Sequence, residues 1–325
     1  MQSAKYLFIL LFILLISPCV AQPANIDFIV AKDGSGDFST VQDAIDAVPD
    51  FRSNETVIYI KNGIYKEKLV LATSKTNLTF VGEDVEKTIL TYDDYASKKN
   101  RFGEELGTTG SSGFFVFGDD FTARNITFKN TAGPVGQAVA IRITGDRAVF
   151  ENCRFLGFQD TLYTRGDESR QYYKDCYIEG TTDFIFGAST AVFEDCQIHS
   201  KEGGHYVTAA STPEDHEFGY VFINSRFTGT APEASVYLGR PWRPYAKVVI
   251  MNSDLGNHIK PEGWHNWNEP AKEETVFYGE FDNSGAGFTP EERVSWSHQL
   301  TPKEAEQYTL ERIFDGWNPL ERLGK

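Results

Sequence analysis

Cysteine is scarce in this chain: four occur in 325 residues, and one of them, Cys19, falls in an apolar N-terminal stretch. The remaining three, Cys153, Cys176 and Cys196, are too few to build a disulfide-stapled miniprotein, and a chain this long needs no staples to bury a core. No CxxC pair is present and none of the six histidines forms HExxH, so no metal site and no cofactor are implied. Basic residues are also short, 31 Lys and Arg against 46 Asp and Glu, a net charge of −15. That balance argues against nucleic acid as a partner, because binding it requires phosphates to be neutralised. An acidic polymer stays possible if the binding cleft itself is locally basic or apolar.

Apolar runs of membrane-spanning length are missing too. The longest, "YLFILLFILLI" (Tyr6 to Ile16), falls short of the roughly 20 residues a spanning helix needs. Lys5 precedes it and "SPCVAQ" follows, the charge, core and small-residue order of a secretory signal cleaved after Ala21. A lipid anchor at Cys19 is the weaker alternative, since Pro18 is an awkward neighbour. The expected product is secreted, extracellular or periplasmic, free of membrane once the signal is removed, and monomeric. Losing Lys5 takes its charge from −15 to −16. No Ser/Gly/Pro linker divides residues 22–325, which read as one domain.

What the chain does have is a repeat. "ARNITF", "FENCRF", "YKDCYI", "FEDCQI", "FINSRF" and "IMNSDL" share an Asn or Asp, a small or apolar residue, a variable one and a large apolar one. "TNLTF" (Thr76 to Phe80) is a weaker copy. The aligned positions Asn125, Asn152, Asp175, Asp195, Asn224 and Asn252 are separated by 27, 23, 20, 29 and 28 residues. Steps of that length with short alternating segments predict a solenoid, here a parallel β-helix whose equivalent residues stack about 4.8 Å apart. Asn and Asp suit a corner that needs left-handed backbone. Cys176 and Cys196 share one repeat position in adjacent coils and so fall within disulfide reach, the alternative being a column of small buried thiols. Helices are expected at the ends. "GDFSTVQDAIDAVP" has Ser39 ahead of a helical period of Val41, Ala44, Ile45 and Val48, while Thr301, Pro302 and Glu304 form a capping box and "TPEER" from Thr289 repeats the start signal.

The same period bears on two aspartates set among apolar and aromatic residues, Asp160 in "QDTLY" and Asp183 in "TTDFIFG". They are 23 residues apart, one coil, which makes them neighbours on a flat face. Close carboxylates split their ionisation, leaving one charged and one a proton donor; as turn residues they would merely bind backbone amides. Gln159 adjoins Asp160 and Gln137 lies 22 residues earlier, two amide donors placed for an oxyanion. "LGRPW" adds Arg240, able to hold a carboxylate ionised, and Trp242, a flat face for a sugar ring. No GxSxG is present, so an ester cleaved here needs a carboxylate nucleophile.

In "DGSGDFSTVQDAIDAVP", "IKNGIYKE", "GQAVAIRI", "QDTLY", "GTTDFIFG" and "LGRPW" the chain resembles the pectin methylesterases, carbohydrate esterase family 8, over nearly all of residues 22–325. The resemblance implies a right-handed parallel β-helix that hydrolyses methyl esters of pectin, methylated homogalacturonan. It casts Asp183 as nucleophile, Asp160 as general acid and then base, Gln137 and Gln159 as oxyanion donors, Arg240 as the partner of Asp183 and Trp242 as a sugar contact. Thr109, Tyr163, Phe186, Trp264 and Trp267 are candidate cleft walls, each of which could equally be core. The chain departs from the pattern at Thr182, where Val is usual, and in a loop two residues longer than in plant-like members, "RGDES" (Arg165 to Ser169), where a histidine usually falls. Those departures bear on subsite preference. The NTD, GHG and RIK stretches of polygalacturonases are absent, as are acidic clusters suited to a calcium-dependent lyase. A non-enzymatic carbohydrate-binding β-helix would leave the paired carboxylates and amide donors without purpose. Sequons start at Asn54, Asn77 and Asn125, the last two within expected strands.

Overall fold

A computed structural model describes residues 25–323, so the expected signal segment lies outside the described residues. Three parallel sheets wind around one another, of eleven, eight and seven strands. One coil shows the order: Ala148–Glu151 lies in the first sheet, Arg154–Leu156 in the second, Leu162–Thr164 in the third, and Arg170–Lys174 returns to the first. In the second sheet Thr127 pairs with Arg154, Arg154 with Tyr177, Tyr177 with Gln197, Gln197 with Arg226 and Arg226 with Asp254. Those steps reproduce the sequence repeat, and the fold is the expected all-β parallel β-helix.

The corner between first and second sheets explains why the repeat carries Asn and Asp. Asn125, Asn152, Asp175, Asp195, Asn224 and Asn252 all have positive φ, between 48° and 56°, which these residues tolerate better than others. Asn77 also has positive φ but lies ahead of the first-sheet strand Leu78–Gly82, whose Phe80 pairs with Ala123, so "TNLTF" is out of register with the other copies; the Asn77 and Asn125 sequons start at turns, while Asn54 is exposed. The residue after each corner points inward. Cys153, Cys176 and Cys196 fill this column as free, buried thiols, donating to the carbonyls of Ala123, Phe150 and Tyr173 in the preceding coil. No disulfide joins Cys176 to Cys196. Each sulfur is instead directed to a carbonyl of the preceding coil, which is the column of small buried thiols.

Alternation along the strands separates core from surface. Phe150, Tyr173, Phe193 and Phe222 stack inside with centroids 4.6–4.9 Å apart. Their neighbours Val149, Tyr172, Val192 and Val221 face out, where Ile313 and Phe314 cover them. At the N-terminal end the helix Val41–Ala47 adds Val41, Ala44 and Ile45 to the core. Its cap is Thr40, whose Oγ1 accepts from the Asp43 amide, not Ser39. Thr301 and Glu304 form the expected capping box on Pro302–Ala305. Thr289 instead precedes a short 3-10 turn, Pro290–Glu292, with no side-chain cap. From Thr301 the chain runs back along the outer face of the first sheet, and Arg322 reaches Asn77. No helix among the described residues is long and apolar enough to cross a membrane.

One buried histidine gives the fold a pH dependence. His258 is about 1% exposed, its Nε2 has no hydrogen-bond partner, and burial, with His199 adding to it, pushes its pKa down to about 4. The unfolded residue titrates near 6.5. As pH falls through that interval the unfolded chain takes up a proton that the folded one refuses, so stability drops, by up to about 3 kcal/mol. Urea midpoints at pH 7 and pH 4.5 are expected to differ less in His258→Gln than in the wild type; equal acid losses in both would place the effect elsewhere.

Candidate active site

The third sheet builds the site. Its strands bring Leu162 opposite Ile185 and Ile185 opposite Thr208, buried residues facing the core, while the outward positions run Arg142, Tyr163, Phe186, Ala209. Asp160 precedes Leu162 by the same interval that Asp183 precedes Ile185, so one register step sets one aspartate over the other. The Asp160 amide donates to the Thr182 carbonyl at 3.1 Å, fixing that register next to the carboxylates. Asp160 and Asp183 have φ of 63° and 50°. Around Asp183 the pairing shifts between Thr182 and Ile185, a bulge that re-aims the side chain out of the pleat. Strained backbone and a pair of buried acids thus coincide.

Arg240 distinguishes the two acids. Its Nε and Nη2 donate to Oδ1 and Oδ2 of Asp183 at 3.0 and 2.7 Å. Two rings clamp the guanidinium, Trp267 at 3.7 Å and Tyr206 at 3.9 Å. Burial pushes the Asp183 carboxyl up, and the hydrogen bonds and charge of Arg240 pull it back. Asp160 lacks such a partner: burial first, and the Asp183 charge second, hold it well above the usual carboxylate range. Both carboxyls are raised, Asp160 much the further, so Asp160 holds its proton more tightly than Asp183.

The amide donors assemble alongside. Gln137 and Gln159 bridge in parallel, and the Ala138 amide donates to the Gln159 carbonyl at 3.1 Å. The Ala96 amide holds the Gln137 carbonyl at 2.8 Å from the neighbouring loop. A cleft of about 600 Å³ takes in Gln137, Gln159, Asp160, Asp183, Arg240 and Trp242 together with Thr109, Tyr163, Phe186 and Trp267. Tyr163 and Phe186 stack at 4.1 Å, with Trp242 tilted over both. Trp264 is not part of this wall. It is buried in the core against Tyr278, ring centroids 4.6 Å apart.

Two residues escaped the sequence reading. Tyr206 lies one coil beyond Thr182 and pairs with it, so the period alone could have placed it. Lys272 carried no such signal. It is buried, and its ammonium donates to the carbonyls of Pro241 and Trp242 and to Glu269, pinning the turn that carries Trp242. Within the "RGDES" loop only Arg165 reaches the cleft, its guanidinium paired with Asp167 at 2.9 Å. No group of three or more His, Cys, Asp or Glu among the described residues could hold a metal ion.

Comparison with known proteins agrees with this architecture. A family model described as Pectinesterase matches residues 27–317. "Pectinesterase 31" of Arabidopsis thaliana is 44% identical over 292 residues, covering 88% of this chain and 91% of that protein. The solved pectin methylesterase from carrot has a TM-score of 0.85 at 36% identity, covering 94% of this chain and 99% of its own. A pectin methylesterase solved in complex with a hexasaccharide has a TM-score of 0.80 at 31% identity, covering 91% and 99%. The chain belongs to the pectinesterase family, a family of carboxylic ester hydrolases.

Proposed function

We propose that this protein removes methyl esters from the galacturonate units of pectin, leaving a carboxylate and methanol, by way of an aspartyl acyl-enzyme. The asymmetry of the carboxyl pair carries this reading: Asp183 is gripped by Arg240, while Asp160 is buried without a counter-ion. Ionised Asp183 attacks the ester carbonyl carbon. The amides of Gln137 and Gln159 take the charge that develops on the carbonyl oxygen. As the carbon–oxygen bond to methoxide breaks, Asp160 delivers its proton and methanol departs, leaving a mixed anhydride on Asp183. Asp160, now ionised, takes a proton from water as that water attacks the anhydride, which returns both side chains to their starting states.

The surrounding groups suit a uronate polymer. Tyr163, Phe186, Trp242 and Trp267 offer flat faces to pyranose rings, and the lining carries two arginines, Arg240 and Arg165, in an acidic protein. We infer also that the chain is exported, that residues 22–325 act as one domain and that it works as a monomer. Incubation with highly methylated pectin is expected to release methanol and acidify the medium, with no unsaturated products and no new reducing ends. Folded protein that releases no methanol from that substrate would overturn the reading.

A further inference from the structure

The turn that lays Trp267 on Arg240 is strained. Trp267 and Asn268 both have positive φ, 63° and 59°, a conformation that is costly for a bulky tryptophan. Neighbouring side chains hold it there. Asn266 accepts from the Asn268 amide at 2.9 Å and donates to Glu273 at 2.6 Å, and the Lys272 ammonium lies 5.5 Å from the Trp267 ring centroid. The Trp267 amide itself donates to Nδ1 of His265 at 3.0 Å.

An imidazole nitrogen accepts only while it carries no proton, so this bond requires neutral His265 with its proton on Nε2. The surroundings favour that form. The half-buried ring packs against Tyr206 and Tyr237, with centroids 5.6 and 5.2 Å away. Lys260 lies over Tyr237, where Glu262 is the nearby acid, and His205 adjoins Tyr206. Burial first, then the positive charges of Arg240 and Lys260, push the His265 pKa below its ordinary value. The backbone ties His265 to the site as well, its amide donating to the Gly239 carbonyl at 3.1 Å, one residue before Arg240.

Protonation would set two donors face to face, Nδ1–H against the Trp267 N–H. The strained turn then loses its acceptor, and Trp267 is free to leave the guanidinium. Arg240 would keep Tyr206 on one side but lose the ring 3.7 Å away on the other, and with it the fixed geometry that grips Asp183.

We propose that His265 is a positioning residue: its neutral Nδ1 holds Trp267 on Arg240, and protonation of that nitrogen releases Trp267 and lowers activity in acid, apart from any titration of Asp183. This rests on the esterase reading above. A ring that merely filled space beside Tyr206 and Tyr237 would leave the pH profile unchanged when replaced.

Two substitutions separate the cases. Asparagine at 265 offers an oxygen to the amide two residues on, as in an Asx-turn, and does not titrate; leucine offers no acceptor. His265→Asn is expected to keep kcat/KM on methylated pectin at neutral pH within about threefold of wild type. Its acid limb becomes shallower, reporting about one proton instead of two. His265→Leu is expected to lose about tenfold at every pH, the scale of an unpaired amide donor. Both kcat and KM change, because Trp267 lines the cleft and also steadies Arg240. Hydrogen exchange at neutral pH shows the Trp267 amide less protected in His265→Leu and still protected in His265→Asn. Superimposable acid limbs in wild type and His265→Asn, or wild-type activity in His265→Leu, overturn the proposal while leaving the esterase intact. A wild type that releases no methanol instead sinks the esterase reading and the acid effect with it. Should His265→Leu not fold, the acid limbs of wild type and His265→Asn decide.

Discussion

Asp183→Asn is expected to lower kcat for methanol release by about 10⁴-fold or more, leaving only what binding and the oxyanion donors provide. The amide cannot attack the ester, yet it keeps the size of the carboxyl and one oxygen for Arg240. Arg240 also remains clamped between Tyr206 and Trp267. The midpoint of urea unfolding should therefore move little, by less than about 2 kcal/mol. A collapse of stability with activity would assign Asp183 to structure, and an active, well-folded variant would remove it from the chemistry.

The same pair fixes the expected shape of the pH profile. In the proposed mechanism the first step needs Asp183 ionised and Asp160 protonated. It is lost on the acid side as Asp183 takes up a proton and on the alkaline side as Asp160 releases one, which gives a bell. Arg240 pulls the Asp183 carboxyl down against the effect of burial. Its replacement by methionine is expected to shift the acid limb of kcat/KM to higher pH and narrow the bell. An acid limb that stays where it was would show that Arg240 does not set the ionisation of Asp183.

Arg293→Ala is expected to cost the most stability, about 3–5 kcal/mol, because it strands a buried charge. Arg293 and Glu280 have side chains 2% and 1% exposed and pair at 2.7 Å. The same guanidinium donates to the carbonyls of Lys260, Pro261 and Gly287 and to Thr289. It thus ties together the last coil, on which the site rests: the Leu238 amide donates to the Gly263 carbonyl, and Gly239 bridges to Trp264 just before Arg240. Paired with Glu280→Gln, Arg293→Met should recover part of the loss, since no charge is then left buried. Urea midpoints measure both. Below the melting transition kcat should survive, and a loss under about 1 kcal/mol for Arg293→Ala would mean that Glu280 finds water or another partner.

Much of this was legible without coordinates because a parallel β-helix turns sequence distance into contact. One period decides which residues stack, so 23 residues between Asp160 and Asp183 already made them neighbours, and the positive φ at each Asn and Asp corner followed from what those residues tolerate. Gln137, Gln159 and Tyr206 lie within the same arithmetic.

Direction and long-range return obey no such period, and there only the tertiary structure decided. Cys176 and Cys196 share a column, yet both remain free, buried thiols. Trp264 and Trp267 are three residues apart, yet one packs into the core and the other lies on Arg240. Lys272 pins the Trp242 turn from a segment with no repeat, and the chain after Thr301 runs back to cover the first sheet. Within coils, backbone pairing sets contact by counting; between loops, contact is set by which side chain fills a space, and that is known only once the coils have stacked.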